Sequence, residues 1–266
     1  MSNCIVNADD LGMTPGTNKA IFDGHDNGYI NSTSIMTNCD YFNEAIHGLK
    51  ARKDLKVGIH LNLTYGKSLS GSFMLGNQYG FFNLSYPQML YKSIVSKSFL
   101  VEVEDEFELQ IQKAIHNKID ISHLDSHRHV HLIPSLYKIV YRLSLKYSIS
   151  RVRLVNENIF HSLNLTKKLD FFSNGGLLKY LLLRFFTCIN KIHGDKYKSI
   201  SFYSILYTGI IESSSLLKLI KSDTVYEIVV HPSYVNFDKN ITFYNDAEKA
   251  YRLSSNRSLE LLGILK

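Results

Sequence analysis

The sequence predicts a single domain of the α/β class with a mostly parallel sheet. Seven short runs of β-branched and aliphatic residues alternate with longer amphipathic stretches, a pattern typical of strands joined by helices. No stretch rich in Pro, Gly or Ser divides the 266 residues, and 45% of them are hydrophobic, which is enough for one sizeable core. Periodicity does not distinguish an open sheet from a barrel, so both architectures stay open at this point.

The predicted elements follow one another at the spacing of repeated strand–helix units. The strands are predicted at Cys4–Asn7, Ser32–Thr37, Lys56–Leu63, Ile121–Asp125, Arg151–Val155, Ile200–Tyr203 and Glu227–His231. Thr14 followed by Pro15 predicts the N-cap and the first residue of the first helix. Val103, Phe107 and Ile111 recur at helical spacing and predict a second helix. Further helices are predicted at Ser135–Tyr147, Leu177–Ile192 and Asp246–Leu262.

Charge and cysteine content narrow the class of protein. Lys and Arg number 30 against 24 Asp and Glu, and this net charge of +6 is too small to indicate nucleic-acid binding. Cys4, Cys39 and Cys188 form no CxxC pair, which favours a reducing compartment over a disulfide scaffold. The N-terminus shows no signal-peptide pattern, and Lys179, Arg184 and Lys191 interrupt the longest apolar stretch. We therefore expect a cytoplasmic protein.

Four polar clusters stand at or just after the carboxyl ends of predicted strands. They are Asn7–Asp10, Gly58–Asn62, His123–His131 and Glu227–Pro232. Active sites of parallel α/β proteins are built at this edge of the sheet. Taken alone, the Asp9–Asp10 pair could be a capped turn and His60 a core histidine. The convergence of all four clusters on one edge indicates a functional site.

The densest of these clusters indicates a metal site. Asp125, His127, His129 and His131 share one face if the strand continues, because side chains alternate with period two. One carboxylate with neutral imidazoles suits Zn²⁺, Mn²⁺, Fe²⁺ or Co²⁺, and Mg²⁺ less ideally. Such a metal activates water and polarises a carbonyl, while a second carboxylate and a histidine move the protons. The residues therefore indicate metal-assisted hydrolysis.

The motifs resemble those of the YdjC-like carbohydrate deacetylases, which include chitooligosaccharide and hopanoid-biosynthesis deacetylases. The matching stretches are Val6–Gly12, Gly58–Thr64, His123–His131 and His231–Pro232, with a similar tail at Arg252–Leu262. Ser233 departs from the glycine that often follows the His-Pro pair. The resemblance implies a distorted seven-stranded (β/α) barrel of the polysaccharide-deacetylase type. It also implies removal of acetyl groups from N-acetylated sugars with one divalent metal ion, usually magnesium, with Zn, Mn or Co as alternatives.

The same resemblance implies roles for individual side chains. Asp10, His60 and His127 match the metal ligands, Asp9 matches the catalytic base, and His231 matches the general acid. Residues expected around the metal or the substrate are Asp125, His129, His131, Asn62 and Arg153. Neighbouring residues on a strand point to opposite faces, so it stays open which of Asp9 and Asp10 binds the metal.

Two segments lie outside the regular alternation of elements. Tyr65–Ser98, rich in Gly, Ser, Asn and aromatic residues, is predicted to be an active-site loop that covers the sugar with Tyr79, Phe81, Phe82 or Tyr86. A variable surface insertion is the alternative. Residues 167–198 carry seven basic against two acidic residues among bulky apolar ones, which is compatible with contact to a membrane surface. An ordinary outer helix of the barrel is the alternative there.

Two other functions compete with a deacetylase. Another metal-dependent hydrolase, such as a phosphoesterase or an amidohydrolase, would use the same barrel. A non-catalytic sugar-binding protein would not need the acid–base pair that Asp9 and His231 provide. The expected partners are an N-acetylated sugar and a second copy in a homodimer, but no nucleic acid.

Overall fold

A curled, parallel, six-stranded sheet forms the centre of the part of the chain that the structure describes. This computed structural model describes residues 4–165, 176–193, 200–203, 205–206, 225–244, 246–258 and 260. The strands are β1 (Ile5–Leu11), β2 (Ser32–Ile35), β3 (Lys56–Leu61), β4 (Ile121–Ser126), β5 (Ser201–Tyr203) and β6 (Tyr226–Val230). Their order is β4-β3-β2-β1-β6-β5, and every neighbouring pair is parallel.

Helices connect the strands, as expected for parallel pairing. They are α1 (Pro15–Asp26), α2 (Phe42–Leu49), α3 (Tyr86–Val95), α4 (Lys97–His116), α5 (Pro134–Lys146), α6 (Ile159–Leu165), α7 (Gly176–Asn190), α8 (Val235–Asp238) and α9 (Asp246–Arg252), with 3₁₀ turns at His127–Leu132 and Lys191–His193. The predicted start of α1 is confirmed, because the Thr14 side chain accepts a hydrogen bond from the Thr17 N–H and Pro15 is the first helical residue. The helix predicted at Asp246–Leu262 is interrupted in the described residues: α9 ends at Arg252, where the Ser254 hydroxyl donates to the Tyr251 carbonyl, and helix resumes at residues 255–258.

The expected complete barrel of seven strands is wrong for the described residues, which form a half-barrel sheet of six. Arg151–Val155, the predicted fifth strand, makes only an isolated bridge between Val152 and Leu124 on the β4 edge. A second bridge joins Glu157 to Phe202 on β5, the opposite edge. The segment thus touches both edges of the curled sheet without a regular ladder of hydrogen bonds to either.

The core lies on both faces of the sheet, as expected when helices cover a parallel sheet. Ala8 on β1, Ile59 on β3 and Ile228 on β6 are fully buried within it. Gly58 leaves room for the His123 imidazole, whose ring lies 2.4 Å from where a Cβ would stand. A side chain at position 58 would therefore displace β4 from β3, and the glycine of the second motif has a packing reason.

The segment proposed for membrane contact is described in part. Residues 176–193 form α7 and the following 3₁₀ turn, close to the predicted helix Leu177–Ile192. Residues 167–175 and 194–198 lie outside the described part of the chain. Among the helices of the described residues, none is both long and apolar enough to span a bilayer.

Candidate active site

A cleft of about 730 Å³ opens at the carboxyl ends of the strands, where the sequence predicts the functional site. Six of the predicted site residues line it: Asp9, Asp10, His60, His127, His129 and His231. Asp9 and Asp10 lie at the end of β1, His60 lies at the end of β3, and His231 directly follows β6. The remaining two, His127 and His129, lie in the turn after β4. The sheet topology therefore brings together residues that are more than 200 positions apart in the chain.

An irregularity at the end of β1 turns two adjacent carboxylates towards the same cleft. The register between β1 and β2 shifts between Ala8 and Leu11, and Asp10 has a φ of 74°. A regular strand would send Asp9 and Asp10 to opposite faces, but a bulge with a left-handed residue re-aims the second side chain. Strain of this kind at a non-glycine residue is typical of functional sites. Both aspartates are therefore available to the cleft.

His60 presents one ring nitrogen to these carboxylates. Its Nδ1 lies 2.8 Å from Asp125 Oδ1, and its Nε2 lies 3.4 Å from Asp10 Oδ1 and 3.9 Å from Asp9 Oδ2. Burial lowers the pKa of the imidazole, but the Asp125 and Asp9 carboxylates outweigh this and raise that pKa to about 10. The surrounding carboxylates therefore strongly stabilise a positive charge at His60 Nε2.

Arg153 holds the buried carboxylates in place. It lies in the segment Arg151–Val155, between β4 and β5 in the chain. Its guanidinium donates to both oxygens of Asp9 at 2.8 and 2.9 Å, to Asp125 at 2.6 Å and to Glu227 at 2.7 Å. Burial raises the pKa of Asp9, and the Arg153 charge only partly offsets this. For Asp125, burial also acts to raise the pKa, but Arg153 and His60 outweigh it and hold that pKa well below its usual range. Asp9 is therefore the better proton acceptor of the two.

His127 stands in the turn that follows β4. Its Nδ1 lies 2.6 Å from Thr64 Oγ1, which leaves Nε2 on the side of Arg252, 3.5 Å from that guanidinium. Burial lowers the pKa of His127 to about 3, so the imidazole is neutral and its Nε2 accepts the long hydrogen bond from Arg252. Arg252 also donates to Asp10 Oδ2 at 2.7 Å and therefore lies between two of the predicted metal ligands.

Two sets of residues at this cleft could hold a metal ion: Asp9, His60 and Asp125, or Asp10, His60 and His127. Asp9, His60 and Asp125 form the compact group, with ligand atoms within 4.8 Å of one another. In that group, however, Arg153 already donates to both carboxylates. Asp10 Oδ1, by contrast, is buried and has no hydrogen-bond partner among the described residues. The donor set of the site therefore fits a divalent cation, and the orphaned oxygen of Asp10 next to His60 Nε2 is where the protein leaves a ligand atom unused.

His231 completes the polar end of the cleft. Its backbone N–H donates to Glu260 at 2.7 Å, and its Nε2 lies 3.9 Å from Asp9 Oδ2. Burial, helped by the charge of Arg257, holds the pKa of the imidazole well below its usual range. His231 is therefore neutral in the free protein and gains a proton only when another group supplies one.

The face shared by Asp125, His127, His129 and His131 in the prediction does not form. β4 ends at Ser126, and Arg128 and His129 adopt positive φ of 54° and 56° in the following turn. The His131 ring bonds to Ser126 Oγ at 2.6 Å and to the Arg153 carbonyl at 3.0 Å, which is a structural role. His129 lines the cleft beside Phe202. The histidine run is thus a tight turn, and it sends its rings in different directions.

Asn62 supports the site from outside the cleft, next to the segment predicted as the loop Tyr65–Ser98. That prediction is wrong for the second half of the segment, because Tyr86–Val95 forms α3 and Lys97 begins α4. The Asn62 side chain donates to Asn38 and to the Tyr65 carbonyl and accepts from Thr64, the residue that holds His127. Of the four aromatic residues predicted to meet the sugar, Tyr86 lines the cleft, whereas Tyr79 is exposed, Phe82 is buried and Phe81 packs on Tyr244.

Sequence reasoning missed several groups that act on the site. Arg252 had no motif of its own and was noted only as the start of a tail similar to that of the family. Thr64 and Ser34, which donates to Asp125 at 2.6 Å, are short polar residues of a kind common in turns and strands. Only the position of Thr64 at the end of the second motif could have drawn attention to it.

A curled parallel sheet with carboxylates, imidazoles and a cleft at its carboxyl edge defines the class: an α/β half-barrel protein with an enzyme-like site. Residues 3–263 match the family described as YdjC-like protein, so the chain belongs to that family. It is 37% identical over 147 residues to a carbohydrate deacetylase of Halalkalibacterium halodurans and 39% identical over 132 residues to one of Thermoanaerobacter pseudethanolicus. These alignments cover 54% and 48% of this chain, and the chain spans 61% and 51% of the two relatives.

The fold has a solved counterpart. A crystal structure described as a cellobiose-phosphate cleavage protein of Enterococcus faecalis V583 superposes with a TM-score of 0.70 and covers 99% of this chain and 90% of its own. The sequence identity is 22%, so this likeness concerns the fold alone.

Proposed function

We propose that the protein is a metal-dependent carbohydrate deacetylase that hydrolyses the acetamide of an N-acetylated sugar. The observation that carries the proposal is the collection of two aspartates and four histidines, from all four motifs, in one cleft. Membership of the YdjC-like family and relatives named carbohydrate deacetylase support the same chemistry. We further propose that residues 1–266 act as a single domain.

Asp10, His60 and His127 are the residues proposed to hold the metal. The orphaned Oδ1 of Asp10, the Nε2 of His60 and the neutral ring of His127 are compatible with a divalent ion, for which the family resemblance implies magnesium. When bound, such an ion polarises the acetamide carbonyl and makes water more acidic. Asp125 fixes the His60 ring by its hydrogen bond to Nδ1, as carboxylates around metal-binding histidines do.

Asp9 and His231 are proposed to move the proton. Asp9 takes it from the attacking water, which forms a bond to the carbonyl carbon. Asp9 Oδ2 and His231 Nε2 lie 3.9 Å apart, so the two side chains first approach to hydrogen-bond distance. The proton then passes to the neutral imidazole and from there to the amine nitrogen as the C–N bond breaks. Arg153 keeps Asp9 oriented for the first step.

The proposal is tested by acetate release from a panel of N-acetylhexosamine glycosides and oligosaccharides, with the protein stripped of metal and then supplied with Mg²⁺, Zn²⁺, Mn²⁺ or Co²⁺. We expect release that requires a divalent ion and is lost in Asp9→Asn. Arg142→Met, which changes an exposed ion pair on α5, is the control and should behave as the original protein. Hydrolysis of phosphate esters without acetate release would instead support the phosphoesterase alternative.

A further inference from the structure

The Thr64 hydroxyl lies between two groups that restrict where its proton can be. Its Oγ1 is 2.6 Å from His127 Nδ1 and 3.2 Å from Asn62 Oδ1. This Asn62 atom is the amide oxygen and not the nitrogen, because the backbone N–H groups of Thr64 and Tyr65 also donate to it. The hydroxyl has one proton, so it bonds both neighbours only when it donates to Asn62 and accepts from His127 Nδ1.

The Asn62 amide is held in this orientation by further hydrogen bonds. Its Nδ2 donates to the Tyr65 carbonyl at 2.5 Å and to Asn38 Oδ1 at 2.9 Å. The Gln110 side chain on α4 accepts from the Asn62 backbone N–H at 2.9 Å and donates to the Asn62 carbonyl at 2.8 Å. A reversed amide would set its nitrogen against two N–H donors and its oxygen against two acceptors. The direction of the hydrogen bonds that reach Thr64 is therefore fixed.

The second ring nitrogen of His127 leads to the same assignment of the proton. Its Nε2 lies 3.5 Å from Nη2 of Arg252, a guanidinium that donates hydrogen bonds and accepts none. A neutral imidazole carries a single proton, and a proton on Nε2 would point at an N–H of Arg252. The neighbours at both ends of the ring therefore place the proton on Nδ1 and the lone pair on Nε2.

We infer that Thr64 is a positioning residue, which fixes His127 as the Nδ1–H tautomer and thereby presents the Nε2 lone pair to a divalent ion. The inference rests on the proposed function, in which His127 is a metal ligand, and adds a residue that acts on the metal through this ligand. His60 is held in the same way by a carboxylate, since its Nδ1 lies 2.8 Å from Asp125 Oδ1. Groups that bond the second nitrogen of a ligand histidine set its tautomer and the orientation of its ring.

The test removes the Thr64 hydroxyl and follows both the tautomer and the metal affinity. Thr64→Val keeps the side-chain shape, and the backbone N–H groups that donate to Asn62 Oδ1 stay in place. In the metal-free original protein with ¹⁵N-labelled histidine, NMR should show a protonated Nδ1 and an unprotonated Nε2 for His127. Thr64→Val should shift this ring towards the Nε2–H form and lower the affinity for Co²⁺, measured by calorimetry, about 10–100-fold. Thr64→Ser, which retains the hydroxyl, should restore both measurements.

Thr187→Val on α7 is the matched control. The Thr187 side chain is also buried, and its hydroxyl has no hydrogen-bond partner among the described residues. This variant should therefore bind Co²⁺ with the affinity of the original protein. Comparison with the spectrum of His127→Gln identifies the NMR signals of the His127 ring.

The outcomes separate the inference from the proposed function. A protonated Nε2 in the original protein overturns the inference, and this result needs no variant. Equal Co²⁺ affinity of Thr64→Val and the original protein, or a Thr64→Ser that binds as weakly as Thr64→Val, also overturns it. If acetate is still released in these cases, the deacetylase proposal stands. The expected tautomer and affinities without acetate release from any sugar of the panel support the role of Thr64 and contradict the deacetylase proposal.

Discussion

Replacing Arg153 by Met should destabilise the protein strongly, because it removes the one cation that three buried carboxylates share. Arg153 donates to Asp9, Asp125 and Glu227, and all four side chains are buried. Methionine fills a similar volume without a charge, so packing changes little. Removing one partner of a buried ion pair costs about 3–5 kcal/mol. In the variant, Glu227 still pairs with Arg151, and Asp125 still pairs with His60. We therefore expect the free energy of unfolding to fall by an amount within that range, and not by that amount for each of the three carboxylates.

The loss should depend on pH in a defined direction. Burial acts to raise the pKa of Glu227, but Arg151 and Arg153 outweigh it and lower that pKa to about 2. A depressed pKa in the folded state stabilises the original protein above the unfolded pKa of about 4.3, and this contribution disappears as the pH falls towards 2. In the variant, Asp9 loses the Arg153 charge that partly offsets the effect of burial on its pKa, so folded Asp9 binds a proton at a still higher pH, well above the window in which Glu227 titrates. The difference between the two proteins should therefore be largest near pH 7.5 and shrink towards pH 5.

Urea unfolding of both proteins at pH 7.5 and pH 5, followed by circular dichroism, measures this difference. Arg142→Met is the control, since exposed ion pairs contribute about 0–1 kcal/mol. A loss below about 1 kcal/mol for Arg153→Met at pH 7.5, or a loss that grows towards pH 5, would refute the electrostatic role assigned to this residue.

The remaining predictions concern the chemistry and the surface. The Asp9→Asn variant should retain the metal and have a kcat about 10²–10⁴-fold lower. If single-turnover assays give the rate of the original protein, Asp9 has a structural role only. His60→Ala with His127→Ala should abolish metal retention, and full occupancy by elemental analysis would disprove the ligand assignment. If the basic, apolar segment 167–198 contacts a membrane surface, the protein sediments with anionic liposomes at low salt and is released at high salt. An absence of sedimentation at low salt would favour an ordinary outer helix.

The strand pattern and the motif positions predicted most of what positions the site. The six strands begin within one residue of their predicted starts and end within two residues of their predicted ends, except that β1 continues to Leu11. The strand pattern is a local property of the sequence. It predicts these strands correctly because each of them is buried on both faces in a parallel sheet. The predicted fifth strand, Arg151–Val155, does not form for a non-local reason: the segment passes between the two edges of the curled sheet and makes one isolated bridge to each, at Val152 and at Glu157.

The sequence by itself determined that carboxylates and imidazoles gather at one edge of a parallel sheet, because strand ends and the polar residues that follow them are local features of the sequence. The tertiary structure alone decided how each side chain is aimed. The positive φ of Asp10 lets two neighbouring aspartates face one cleft, and the turn after β4 separates the histidines that a continued strand would align. Arg252 reaches Asp10 from 242 positions away, a contact that only chain folding creates. Backbone dihedral angles and long-range pairing depend on the whole fold, so no local pattern reveals them.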